Sequence, residues 1–262
     1  MIDIKTIKTE SFEMDYFTFG EGERAFVIIP GLSVRSVMFS APSICGAYSE
    51  FGQKYKCYVF GPVKKPDEKT TIKSMADCLA SAMKILKIQG AFIFGASQGG
   101  MIAQCIAIDY PCLVSKLVIG SSMSRNNETS TKVLECWAGF AESGEVEKLN
   151  RSIFNSIYSD EFLSQYQKAF ELLVKIGNDD ELKSFAYSVR ACLSFDIYSQ
   201  LEKIKCPVLV LGGKKDAVLS SEASAEIAEK LRCEIYMYDN GSHAVYDEAD
   251  DYKERLLDFF GK

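Results

Sequence analysis

The chain has 262 residues, of which 47% are hydrophobic and 25% charged, the balance of a globular protein able to bury one full core. A formal charge of -6 argues against nucleic acid and against an anionic membrane surface as partners, since both select basic faces. No run approaches the roughly 18 apolar residues of a membrane span, and Met1 to Lys8 carries charges where a signal peptide needs an apolar core; the expected setting is cytoplasmic and the expected partner a small-molecule substrate.

The elements follow in order. Ser11 to Phe19 alternates loosely, as a half-exposed strand does. Ala25 to Ile29 is a continuous apolar run ending in Pro30-Gly31, the pattern of a strand buried on both faces. Val37 to Phe51 reads as a helix made irregular by Pro42 and Gly46. Lys56 to Phe60 is a second buried strand, stopped by Gly61-Pro62. Thr71 to Leu86 is a clear amphipathic helix, with Ile72, Met75, Leu79, Met83 and Leu86 on one face.

A strand at 91–95 is followed by a helix that ends near Tyr110-Pro111. Lys116 to Ile119 is the next strand. Later come a strand at 207–211, a helix over Ser221 to Leu231, a strand at 234–238 and a last helix from about Ala249 to Phe260. Apolar strands alternating with amphipathic helices predict an α/β fold, a mostly parallel sheet with helices on both faces.

The alternation breaks between 121 and 201. About four helices fit there, carrying Trp137 and Phe140, then Phe162, Tyr166, Phe170 and Leu173, then Phe185 and Val189. Such stripes pack a helix against its neighbours, and they also suit a cap that lines a cleft. The expected division is therefore a core of residues 1–120 and 202–262 with a helical cap at 121–201.

Chemistry concentrates in Gly95-Ala96-Ser97-Gln98-Gly99-Gly100. A Gly-x-Ser-x-Gly turn between strand and helix strains the serine and lifts its hydroxyl clear of the sheet end. Gly95 and Gly99 remove side chains where strand and helix approach. Ser97 needs a base, and the chain holds one histidine, His243, in the loop after the strand at 234–238. The base needs an acid. Asp216, in the loop after the strand at 207–211, lies between serine and histidine in sequence, the order of an elbow-type triad. Asp239 is a weaker rival, too near the end of its own strand to fold back on His243. The backbone N–H of Gln98 and that of Leu32, or alternatively Ser33, are the candidate oxyanion donors; Pro30 has none. Nine scattered cysteines without a Cys-x-x-Cys pair, and one histidine, match no usual zinc pattern, so neither metal nor cofactor is expected. The cysteines are expected to be reduced, with Cys57, Cys105 and Cys206 in the core.

Together the elbow, Gly212-Gly213-Lys214-Lys215-Asp216, Gly241-Ser242-His243 and the helical insertion after the strand at 116–119 resemble the α/β-hydrolase fold superfamily, in particular its small cap-bearing serine hydrolases, over nearly the whole chain. The resemblance implies an esterase-like enzyme that cleaves a carboxylic ester or related acyl bond through an acyl-enzyme. The same site would also serve a carbon–carbon bond hydrolase, a lyase or an acyltransferase, and a ligand-binding sensor without turnover is a third possibility. Many members carry His-Gly where this chain has Pro30-Gly31, and Asp-x-Arg-Gly-x-Gly where it has Gly61-Pro62-Val63-Lys64-Lys65-Pro66. The substrate and the oligomeric state stay open.

Overall fold

The computed structural model describes residues 2–262. Strands β1 (Ile4–Lys8), β2 (Glu13–Phe19) and β3 (Ala25–Ile29) lead into helices α1 (Ala41–Ala47) and α2 (Ser49–Lys54). Strand β4 (Lys56–Val63), helix α3 (Ile72–Ile85), strand β5 (Ala91–Ala96), helix α4 (Gln98–Asp109) and strand β6 (Val114–Gly120) follow. An insertion of five helices comes next: α5 (Glu128–Glu142), α6 (Val146–Ile157), α7 (Asp160–Gln165), α8 (Gln167–Leu173) and α9 (Asp179–Leu193). The chain closes with β7 (Val208–Gly213), α10 (Ser221–Leu231), β8 (Glu234–Tyr238), α11 (Val245–Glu248) and α12 (Tyr252–Gly261).

The eight strands form one sheet in the order β1-β2-β4-β3-β5-β6-β7-β8. β1 and β2 run antiparallel, and β3 to β8 are mutually parallel. Its central strands are buried on both faces, and their alternation sorts side chains by type. Phe26, Phe92, Phe94, Leu209 and Leu211 point to the face covered by α2 and α12. Val27, Ile29, Ile93, Leu117 and Val210 point to the face covered by α3, α4 and α10. The aromatic face packs tightly: Phe26 stacks on Phe51 at 4.7 Å and meets Phe260 edge-on at 5.4 Å, and Phe92 stacks on Phe260 at 4.9 Å.

Four differences from the sequence expectations have physical causes. β1 carries no apolar signal because it is an edge strand with four of its five residues exposed. β4 continues through Gly61-Pro62 to Val63 because it gains an antiparallel partner in β2. The register shifts there, with Met14 opposite Val63 but Tyr16 opposite Phe60, and the bulge accommodates the proline. The irregular helix over 37–51 breaks at Tyr48 into a short 3₁₀ turn, α1 and α2. The stripe from Phe162 to Leu173 breaks at Tyr166 into α7 and α8, neither of which buries a residue. Its aromatics pack on one another instead, Phe162 lying 4.7 Å from Tyr166 and 4.8 Å from Tyr158. All nine cysteines are free; Cys57, Cys105 and Cys192 are buried, while Cys206 is only half-buried. No helix among the described residues is long and apolar enough to cross a membrane.

Candidate active site

The site lies at the carboxyl ends of β3, β5, β7 and β8, where an open parallel sheet leaves a crevice. At the end of β5, Ser97 adopts φ 52° and ψ −120°, a conformation that non-glycine residues rarely accept. Four neighbours hold it there. Ser97 N donates to Gly120 O at 2.8 Å, the Ser122 hydroxyl donates to Ser97 O at 2.8 Å, and Gly100 N and Met101 N donate to the same carbonyl at 2.9 and 3.2 Å. Helix α4 begins at Gln98, so its amino-terminal N–H groups and the positive end of its dipole lie beside the serine. The loop after β3 crosses close above: a Cβ on Gly31 would stand 3.0 Å from Ser97 Cβ.

Asp216 and His243 form a buried pair, Asp216 Oδ2 lying 2.8 Å from His243 Nδ1 with both side chains at most 3% exposed. The other carboxylate oxygen, Oδ1, accepts from Val218 N at 2.8 Å and Leu219 N at 2.9 Å, which fixes the carboxylate's rotation. An aspartate held this way orients an imidazole with its Nδ1–H toward the acid and its Nε2 free as a base. Asp239 is elsewhere, highly exposed and paired with Lys214 at 2.7 Å.

Ser97 and His243 meet as walls of one cavity of about 30 Å³, whose other walls include Leu32, Trp137, Ile153 and Tyr246. No Ser97–His243 hydrogen bond is formed among the described residues; such contacts often close only around substrate. A second cavity of about 400 Å³ adjoins it. Gly31, Leu32 and Phe185 wall both spaces. The larger one also takes in Gln98, Ser33 and the segment Gly61 to Pro66, so the loop whose sequence departs from the superfamily pattern borders this space. Of the two candidate oxyanion donors expected after β3, Leu32 lines the serine's cavity and Ser33 only the larger one.

Helix α9 and the α6–α7 junction bind the insertion to this region. The Gln98 side chain donates to Ser188 O at 3.1 Å and to Cys192 Sγ at 3.3 Å. Ala244 N, next to the histidine, donates to Ile157 O at 2.7 Å, and the Ser242 hydroxyl lies 2.8 Å from the same oxygen and 2.7 Å from Glu248 Oε1. Arg190 is committed to Glu142 and Glu135, both at 2.9 Å, and Arg125 to Glu226, so neither offers a free cation to a substrate. Burial pushes the Cys192 thiol up to about 12, against a smaller opposing effect of the Gln98 hydrogen bond. Iodoacetamide at pH 8 is therefore expected to alkylate the exposed Cys112 and Cys136 and to leave Cys192 unmodified until the chain unfolds. Peptide mass spectrometry of native and denatured samples checks this, and rapid native labelling of Cys192 would contradict it.

Sequence patterns brought out Ser97, Asp216, His243, Gln98, Leu32, Trp137 and Phe185. They did not bring out Ile153, Ile157 or Tyr246. The position of Tyr246, three residues after the histidine, was the one available signal.

The serine aminopeptidase (S33) family model matches residues 66–250. The carbamate hydrolase candidate RutD of Agrobacterium fabrum is 26% identical over 198 residues, covering 72% of this chain and 74% of its own. A 2-hydroxy-6-oxononadienedioate/2-hydroxy-6-oxononatrienedioate hydrolase of Paraburkholderia phymatum is 25% identical over 195 residues, covering 71% of this chain and 68% of its own. Among solved structures, MGS-M2, an α/β hydrolase enzyme from a Medee basin deep-sea metagenome library, superposes with a TM-score of 0.89 at 20% identity over 98% of each chain.

Proposed function

The chain belongs to the serine aminopeptidase S33 family of α/β hydrolases, and from that premise we propose that it is a serine hydrolase cleaving a carboxylic ester or related acyl bond of a partly apolar small molecule. The observation that carries this reading is the buried Asp216–His243 pair, 2.8 Å apart, facing a backbone-strained Ser97 across one small cavity.

In this mechanism His243 Nε2 takes the Ser97 hydroxyl proton as Oγ attacks the acyl carbon. The carbonyl electrons move to oxygen, which is held by the N–H groups of Gln98 and Leu32. The carbonyl re-forms, the bond to the leaving group breaks, and the imidazolium, steadied by Asp216, protonates the departing atom. A water then gives its proton to His243 and attacks the acyl-enzyme, releasing the acid and restoring Ser97. Residues 121–201 act as a cap that excludes bulk water, with Trp137 and Phe185 as its inner surface.

A fluorophosphonate probe tests the nucleophile, since Oγ displaces fluoride from phosphorus only when a base activates it. Wild-type protein is expected to be labelled on the peptide containing Ser97, and the Ser97→Ala protein to stay unlabelled. Equal labelling of both, or of neither, would refute the assignment. Similarity to the Paraburkholderia phymatum hydrolase favours a second reading, in which the same triad cleaves a carbon–carbon bond. Turnover of a vinylogous 1,5-diketone, with no ester cleaved, would support it.

A further inference from the structure

The small cavity at Ser97 and the larger one that adjoins it through Gly31, Leu32 and Phe185 bear on substrate class. Taking the serine-hydrolase mechanism above as given, we infer that this enzyme is built for acyl compounds with a small leaving group and a long, largely apolar acyl portion, each bound in its own chamber. The tetrahedral adduct carries four substituents: Ser97 Oγ, the oxyanion, the acyl chain and the leaving atom. The oxyanion must face the backbone donors at Gln98 and Leu32. The leaving atom must come to His243, because that side chain returns the proton as the bond breaks.

Ser97 and His243 both line only the smaller cavity, of about 30 Å³, so the reacting carbon and the leaving atom sit there together. A water needs roughly 10–15 Å³ on that measure, so this chamber takes about two or three non-hydrogen atoms, enough for the reacting carbon and a leaving group no larger than methoxy. The acyl chain leaves the carbon on the other side, past Leu32 and Phe185, into the cavity of about 400 Å³. Phe60, Val63, Met75 and Ile102 form an apolar wall of that chamber, and Asp15, Lys64, Asp180 and Glu181 are among its polar lining.

The small chamber is also braced. Its cap-side wall includes Ile157, whose carbonyl accepts from Ala244 N at 2.7 Å beside His243. Widening the chamber by withdrawing the α6–α7 junction would break that hydrogen bond and pull on the histidine loop. A bulky leaving group therefore interferes with the group that must protonate it.

Two isomeric esters isolate this effect. Methyl heptanoate and hexyl acetate share one formula and place the long chain on opposite sides of the ester. After correction for their alkaline hydrolysis rates, kcat/KM for methyl heptanoate is expected to exceed that for hexyl acetate by at least about tenfold, the low end of what one misfitting methylene causes in an apolar pocket. Ile153→Ala enlarges the small chamber and is expected to shift the ratio severalfold toward hexyl acetate. Should that variant not fold by circular dichroism, Ile157→Val is expected to shift the ratio in the same direction.

Equal rates for the two isomers, a preference for hexyl acetate, or an unmoved ratio in the folded variant would overturn the chamber assignment while leaving the serine-hydrolase reading standing. Failure to hydrolyse either ester by protein whose Ser97 reacts with fluorophosphonate would overturn the chamber assignment and leave Ser97 standing as the nucleophile. Failure of both esters together with an unlabelled Ser97 would overturn the mechanism on which it rests.

Discussion

Ser97→Ala is expected to lower kcat/KM on a cleaved ester by about 10⁴- to 10⁶-fold, with the protein still folded. The magnitude follows from how a triad works: without the nucleophile, base and acid have nothing to activate, and the backbone donors and substrate binding leave only a residual acceleration. Folding should survive because the substitution removes one oxygen and keeps the Cβ. The hydrogen bonds that hold Ser97 run through its backbone N and O, so alanine inherits them together with the φ of 52°. Steady-state kinetics and a thermal melt check both halves. Activity within a hundredfold of wild type would place the nucleophile elsewhere.

Gly99→Ala is expected to have the largest effect on stability, a loss on the order of 4–5 kcal/mol or more, the range reserved for gross steric or network damage. A Cβ at this position would lie 1.9 Å from Ile29 O and 2.6 Å from both Ile29 C and Pro30 O. All three atoms are backbone atoms at the end of β3, so no rotamer change can relieve the overlap. Helix α4 would have to withdraw from β3, moving Gln98 and the loop that carries Leu32. With total stabilities of domains near 5–15 kcal/mol, little folded protein should remain. Gly46→Ala is the control. It lies in α1, and a Cβ there meets nothing within 4 Å, so this variant is expected to match or slightly exceed wild type. Urea unfolding of the pair checks the contrast. A Gly99→Ala protein as stable as Gly46→Ala would show that the elbow tolerates the side chain.

Most of the core could be read from sequence because its causes are local. The runs at 25–29, 91–95 and 207–211 are apolar throughout, and a fully buried parallel strand leaves that mark. The elbow could be read because strain, close approach and the proposed nucleophile share six consecutive residues. Asp216 and His243 could be placed because each lies in a loop just after a strand, the buried β7 and the exposed edge strand β8. What escaped depends on tertiary contact. β1 is polar because it lies at an edge. The break at Tyr166 arises because α7 and α8 have no core to hold them as one helix. The contact of Ile157 with the histidine loop uses a backbone carbonyl, which every residue possesses and no pattern marks. Tyr246 and Ile153 reach the serine's cavity only through the way α6 and α11 are packed.

The hydrogen bonds that join the insertion to the elbow and to the histidine loop have a consequence for how the chain can come apart. A helical insertion between two strands invites treatment as a detachable module, free to loosen while the sheet stays intact. Here its loosening would uncover the Gln98 amide, which donates to Ser188 O, and the Ala244 N–H, which donates to Ile157 O. Each group left without a partner costs about 1–3 kcal/mol where water cannot replace it. Those costs link the melting of α6 and α9 to that of the strands beneath them. The insertion and the sheet are therefore expected to unfold in one cooperative transition, and a foreign insertion grafted between β6 and β7 would have to supply those same acceptors.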